Sequence, residues 1–104
     1  TALNQKRPYL YISDATNAIN HIIKNNIFSG ETYNVLTNNF TVKNIVDEIK
    51  KHKSNLRINL VNNKIMNQLS YEVDTSKFIS TGFKYKGSIK KGIKETLNFL
   101  DKIN

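Results

Sequence analysis

The stretch "RPYLYISDATNAINHII", residues 7–23, changes its apolar pattern partway along, and that change sets the class of fold. Tyr9, Leu10, Tyr11 and Ile12 form a short aromatic and aliphatic run of the kind that fills a strand. From Asp14 onward the spacing becomes helical. Ala15, Ala18, Ile19, Ile22 and Ile23 follow the i, i+3, i+4, i+7 rule for one buried face, with Asn17, Asn20, His21 and Lys24 on the other. Asp14 is expected to be the N-cap, its carboxylate accepting from the free amides of the first turn. A strand feeding directly into a helix indicates a mixed α/β unit. The arginine just ahead of the strand, Arg7, is not explained by that fold alone.

The same reading extends along the chain. "ETYNVLT" (31–37) reads as a second strand after a turn at Gly30. Thr41 is placed to cap the next helix, with Phe40 able to pack on Ile45 as a hydrophobic staple. Val42, Ile45, Val46 and Ile49 form its apolar stripe, and Asp47 is spaced to pair with Lys51. Leu56, Ile58 and Leu60 alternate with Arg57 and Asn59 as in a half-buried strand, whereas "NNKIMNQL" (62–69) shows no period and reads as a loop. "SYEVD" (70–74) reads as a short strand, Asp74 as the cap of a brief helix ended by Gly82, and Ser88 as the cap of a last helix carrying Ile89, Ile93, Leu97 and Leu100 on one face. The expectation is one α/β (α+β) domain over residues 1–104, with about three short strands and four helices.

Composition narrows the function classes. A chain of 104 residues buries about 65% of its unfolded surface around one small core. It has no cysteine, hence no disulfide framework and no thiolate metal site, and no apolar run reaches the ~18 residues of a membrane span. A cytoplasmic protein is expected. The net charge of +8 invites a nucleic-acid reading. Yet 16 asparagines, 14 lysines and 13 isoleucines, all with A/T-rich codons, trace much of the excess to coding bias.

Little in the sequence carries catalytic chemistry. His21 and His52 are far apart on helix faces expected to be solvated, so no metal is expected. Gly82-x4-Gly87 resembles half a phosphate loop, but Ser88 stands where the lysine is required. No Gly-x-x-Gly-x-x-Gly turn follows a strand. Asn39-Phe40-Thr41 matches a glycosylation sequon, but its threonine is better explained as the helix cap.

Three stretches in order are more informative: "RPYLYISDATNAI", then "YNV" with "TVKNIVDEI", then "SYEVDTSKFISTGF" before a last amphipathic helix. The succession resembles the C-terminal part of the extended short-chain dehydrogenases/reductases, the NAD-dependent sugar-nucleotide epimerases and dehydratases of the UDP-glucose 4-epimerase type. The resemblance spans about Gln5 to Leu100. Its family has a Rossmann half that binds NAD and carries a Tyr-x-x-x-Lys pair. No lysine here lies four residues after Tyr9, Tyr11, Tyr33, Tyr71 or Tyr85. The resemblance therefore implies a C-terminal substrate-binding fragment, catalytically inert alone, with NAD held by an N-terminal Rossmann half that this chain lacks. Implied partners are a nucleotide-sugar, that Rossmann half and, as an option, a second copy of the chain. No membrane or specific nucleic acid is implied.

The same resemblance points to residues. Arg7 stands where the family's basic residue reaches the nucleotide diphosphate, and a guanidinium suits phosphate oxygens through paired hydrogen bonds. Tyr71 matches a tyrosine bordering the sugar pocket. Upstream of it, Lys64 and Asn67 stand where those enzymes often carry a diphosphate-binding arginine and a ribose-binding acid. Lysine keeps the charge without bidentate geometry, and asparagine keeps hydrogen bonding without charge. The rival from another class is a small basic nucleic-acid-binding module, for which "FKYKGSIKKGIK" (83–94) is the one stretch interleaving aromatics with lysines.

Overall fold

The computed structural model describes residues 2–59 and 70–103. After a short 3-10 turn at Ala2–Asn4 come β1 (Lys6–Tyr9), α1 (Ile12–Lys24), β2 (Asn38–Thr41), α2 (Val42–His52), α3 (Ser76–Ile79) and α4 (Ile89–Ile103). The protein is thus a small mixed α/β domain, with four helices and a two-stranded sheet among the described residues. β1 and β2 pair antiparallel, with Arg7 opposite Phe40 and Pro8 opposite Asn39. A proline in a strand is tolerated here because a two-stranded ribbon has only edges.

The strands are fewer and displaced from the sequence reading. Residues 31–37 form no strand; their amides are anchored singly, Leu36 N to the Tyr85 hydroxyl at 3.2 Å and Thr37 N to Tyr9 O at 2.8 Å. Residues 70–74 also form none, because much of their pairing is to side chains. Asn39 donates Nδ2 to Val73 O and accepts Val73 N at Oδ1, each at 2.9 Å, so one side-chain amide takes the part of a ladder partner. That pairing occupies the sequon asparagine, and Thr41 is indeed the cap. Residues 56–59 are not a strand either, and Leu60 with 62–69 lies outside the described residues.

The helices follow the sequence more closely, since their signals are local. Thr41 Oγ1 accepts Asn44 N while Asn44 Oδ1 accepts Thr41 N, both at 3.0 Å, a reciprocal capping box. Val42, Ile45, Val46 and Ile49 are half-buried, as expected. Asp47, however, pairs with Lys43 at 2.8 Å, and Lys51 with Glu48 at 3.3 Å. Asp74, expected as the cap of α3, stands one residue outside the N-cap Thr75, where its Oδ1 accepts Ser76 N at 2.8 Å, and the chain leaves that helix through Gly82 at φ +98°. Ser88 Oγ accepts Lys91 N at 3.2 Å at the start of α4.

α1 departs from expectation at both its start and its face. It begins at Ile12, three residues early, with Tyr11 extended before it and the Tyr11 amide donating to Thr37 Oγ1 at 2.8 Å. Asp14 is therefore inside the first turn and is not the N-cap. The buried side of α1 carries Asp14 and Ala18, with Ile22 and His21 half-buried, while Ile19 and Ile23 are 59% and 62% exposed. The reason is the aromatic core: Phe78 and Phe83, rings 4.9 Å apart, meet His21 edge-on at 5.7 and 5.4 Å and turn the helix toward them. Ala18, Ile22, Tyr33, Val35 and Tyr85 complete this cluster.

Candidate substrate site

β1 and the segment after the undescribed residues bring two of the four sequence-derived candidates together. The Arg7 guanidinium carbon lies 4.9 Å from the centroid of the Tyr71 ring, 64 positions away in sequence. One backbone oxygen fixes both: Lys6 O accepts Arg7 Nη1 at 2.7 Å and Tyr71 N at 3.2 Å. Lys6 N donates to Ser70 Oγ at 2.8 Å, and Lys6 Nζ pairs with Glu72 at 2.5 Å. Arg7 Nη2 reaches Gln5 Oε1 at 3.2 Å. The result is a half-buried guanidinium over a half-exposed phenol ring, within cation–π distance. Lys64 and Asn67 lie outside the described residues.

Chemically, the pair can present planar N–H donors and a phenol to an anionic, hydroxyl-bearing ligand. Among the described residues no cluster of His, Asp and Glu could hold a metal ion. The sequence contains no Gly-x-x-Gly-x-x-Gly turn.

Two features escaped the sequence reading. The first is a carboxylate latch. Asp14 is fully buried; its Oδ2 accepts Thr37 Oγ1 at 2.7 Å, and its Oδ1 accepts Lys86 N at 2.9 Å and Gly87 N at 3.1 Å. No local signal could have shown this, because the donors lie 23, 72 and 73 positions away. The second is an apolar groove of about 620 Å³ between the β1–α1 junction and α4, lined by Tyr9, Tyr11, Ile12, Ile93, Leu97 and Phe99 among others. At its side the Tyr11 hydroxyl donates to Glu95 Oε2 at 2.6 Å, and this hydrogen bond to a carboxylate raises the phenol above its usual pKa.

The aromatics of 83–94 belong to the interior. Phe83 is 5% exposed and Tyr85 is half-buried with its hydroxyl 2.5 Å from Thr75 Oγ1, whereas Lys84 and Lys86 are exposed. No helix among the described residues is long and apolar enough to cross a membrane. Comparison with known protein families, with curated proteins and with solved structures gives no match.

Proposed function

We propose that this chain supplies the nucleotide-sugar side of an NAD-dependent sugar-nucleotide epimerase or dehydratase and is catalytically inert by itself. The observation that carries the reading is the position of the Arg7 guanidinium over the Tyr71 ring. The family resemblance gives Arg7 the diphosphate and Tyr71 the sugar, and a common site requires them to be neighbours. Arg7 would hold the diphosphate through its planar fork, and Tyr71 would keep that fork in plane and border the sugar. With neither a glycine turn nor a Tyr-x-x-x-Lys pair in these residues, no hydride or proton-transfer step is assigned to this chain. That chemistry would reside in a Rossmann half outside these 104 residues.

The surface is also in keeping with such a partner. Ile12, Ile19, Ile23 and Phe99 are 59–73% exposed, an apolar area of the kind a second domain covers.

The test is substrate binding set against melting temperature for the wild type, Arg7→Ala and Arg7→Lys, with UDP-glucose as the probe. A charge-assisted contact worth about 1.5–3 kcal/mol makes Arg7→Ala bind roughly 10- to 150-fold more weakly. Arg7→Lys recovers only part of that loss, since an ammonium cannot make the paired contact. Unchanged binding in Arg7→Ala, or a loss explained by partial unfolding, removes Arg7 from the site.

A further inference from the structure

A second polar surface shares no residue with the Arg7–Tyr71 pair. It is a cleft of about 530 Å³ where α1 faces residues 81–86. From α1 it takes Asn17, Asn20, His21 and Lys24, spaced i, i+3, i+4, i+7 and so aligned on one face. From the facing segment it takes Lys84 and Lys86. We infer that this cleft is a binding site for a phosphate-bearing anion.

Charge is the first argument. Lys6, Lys43, Lys51, Lys53 and Lys77 each pair with a carboxylate, on Glu72, Asp47, Glu48, Asp101 and Glu31 respectively. Among the described residues Lys24, Lys84 and Lys86 pair with none, and no Asp or Glu lines the cleft. Three cations thus converge on one concavity with no counter-charge of their own.

Preorganisation is the second. Asp14 holds the Lys86 and Gly87 amides, fixing the lysine-bearing segment against α1 while remaining buried itself. Beneath the cleft, Thr81 Oγ1 donates to Phe78 O at 2.6 Å and so receives the His21 Nε2–H at 3.0 Å. Asn25 Nδ2, oriented by its 2.9 Å bond to His21 O, donates to His21 Nδ1 at 3.1 Å. The imidazole is thus held in place from both ring nitrogens as the floor of the cleft. The C-terminal end of a helix normally repels anions, but three of its last four carbonyls are occupied here: His21 O takes Asn25 N, Ile22 O takes Ile27 N and Ile23 O takes Asn26 N.

Phosphate oxygens could come from a small polyphosphate or from a nucleic-acid backbone, so the test has two arms. The 104-residue chain is titrated at low salt with inorganic tripolyphosphate and, separately, with a short oligothymidylate, by calorimetry and amide NMR. Saturable tripolyphosphate binding with shifts at Asn17–Lys24 and Thr81–Lys86 is expected. The triple variant Lys24→Gln, Lys84→Gln, Lys86→Gln should bind at least about tenfold more weakly. A charge-matched control, Lys50→Gln, Lys90→Gln, Lys102→Gln, should bind nearly as the wild type, with both triples melting normally. If the oligonucleotide's log K against log salt flattens by about 2 in the cleft triple alone, the backbone is the source. If that slope matches the control while tripolyphosphate is lost, a small polyphosphate is. Equal weakening in both triples, or no saturation with either probe, overturns the site.

Discussion

Asp14 is an acidic side chain that the fold takes wholly out of water, and it is held there by donors from two distant segments. Truncation to alanine would strand the Lys86 and Gly87 amides and the Thr37 hydroxyl, at a cost of about 2–4 kcal/mol. Asp14→Asn keeps one carbonyl acceptor for the two amides and should lose less than half of that in urea unfolding. Gly87→Ala tests the same junction sterically: a Cβ there would collide with the Tyr11 ring and stand 2.6 Å from Tyr11 Cγ and 2.7 Å from Asp14 Oδ2. An overpacking cost of about 1–3 kcal/mol is expected, and combined with Asp14→Ala it should not add, because both changes break one contact. Wild-type stability in Asp14→Ala would show that the latch carries no weight. An acid ahead of an apolar stripe looks the same in sequence whether it caps its own helix or fastens another segment.

At the scale of elements, legibility tracked the distance between partners. Thr41 and Ser88 each cap from three residues before the amide they receive, and each was readable from spacing. The strands were not, since β1 pairs with residues 29 to 35 positions away and Val73 pairs with the side chain of Asn39. The caps and local pairs also have a pH signature. The Ser76 amide holds the Asp74 carboxyl below the usual aspartate range, and the Lys43 ammonium does the same for Asp47. A folded pKa below the unfolded value of about 4 gives stability that is complete above that value and lost as pH falls through the folded one. Melting temperature should therefore decline below about pH 4, and less steeply in Asp47→Asn, Asp74→Asn. Equal slopes for the two proteins would mean that these carboxylates do not contribute to the acid sensitivity.

The whole molecule is open for its size. Its Cα radius of gyration is 16.3 Å, against about 13 Å for a compact chain of this length. Its accessible surface is 8083 Å², against about 6000 Å² expected for its mass. Only Ala18, Leu36, Phe78 and Phe83 are buried apolar residues among those described. Alone at high concentration, the chain should self-associate through the apolar surface around Tyr9–Ile12 and the outer face of α1, and Ile19→Lys, Ile23→Lys should weaken that association. A strictly monomeric sedimentation profile would contradict it. Periodicity signalled the apolar helix faces but could not say which of them the chain itself covers; that depends on the Phe78–Phe83 packing. The most direct test of the central claim is amide NMR mapping of UDP-glucose titrated into the wild-type chain. Saturable shifts centred on Lys6, Arg7, Tyr71 and Glu72 are expected. Saturable shifts confined to the apolar groove or to the lysine cleft, or no saturable shift at all, would contradict it.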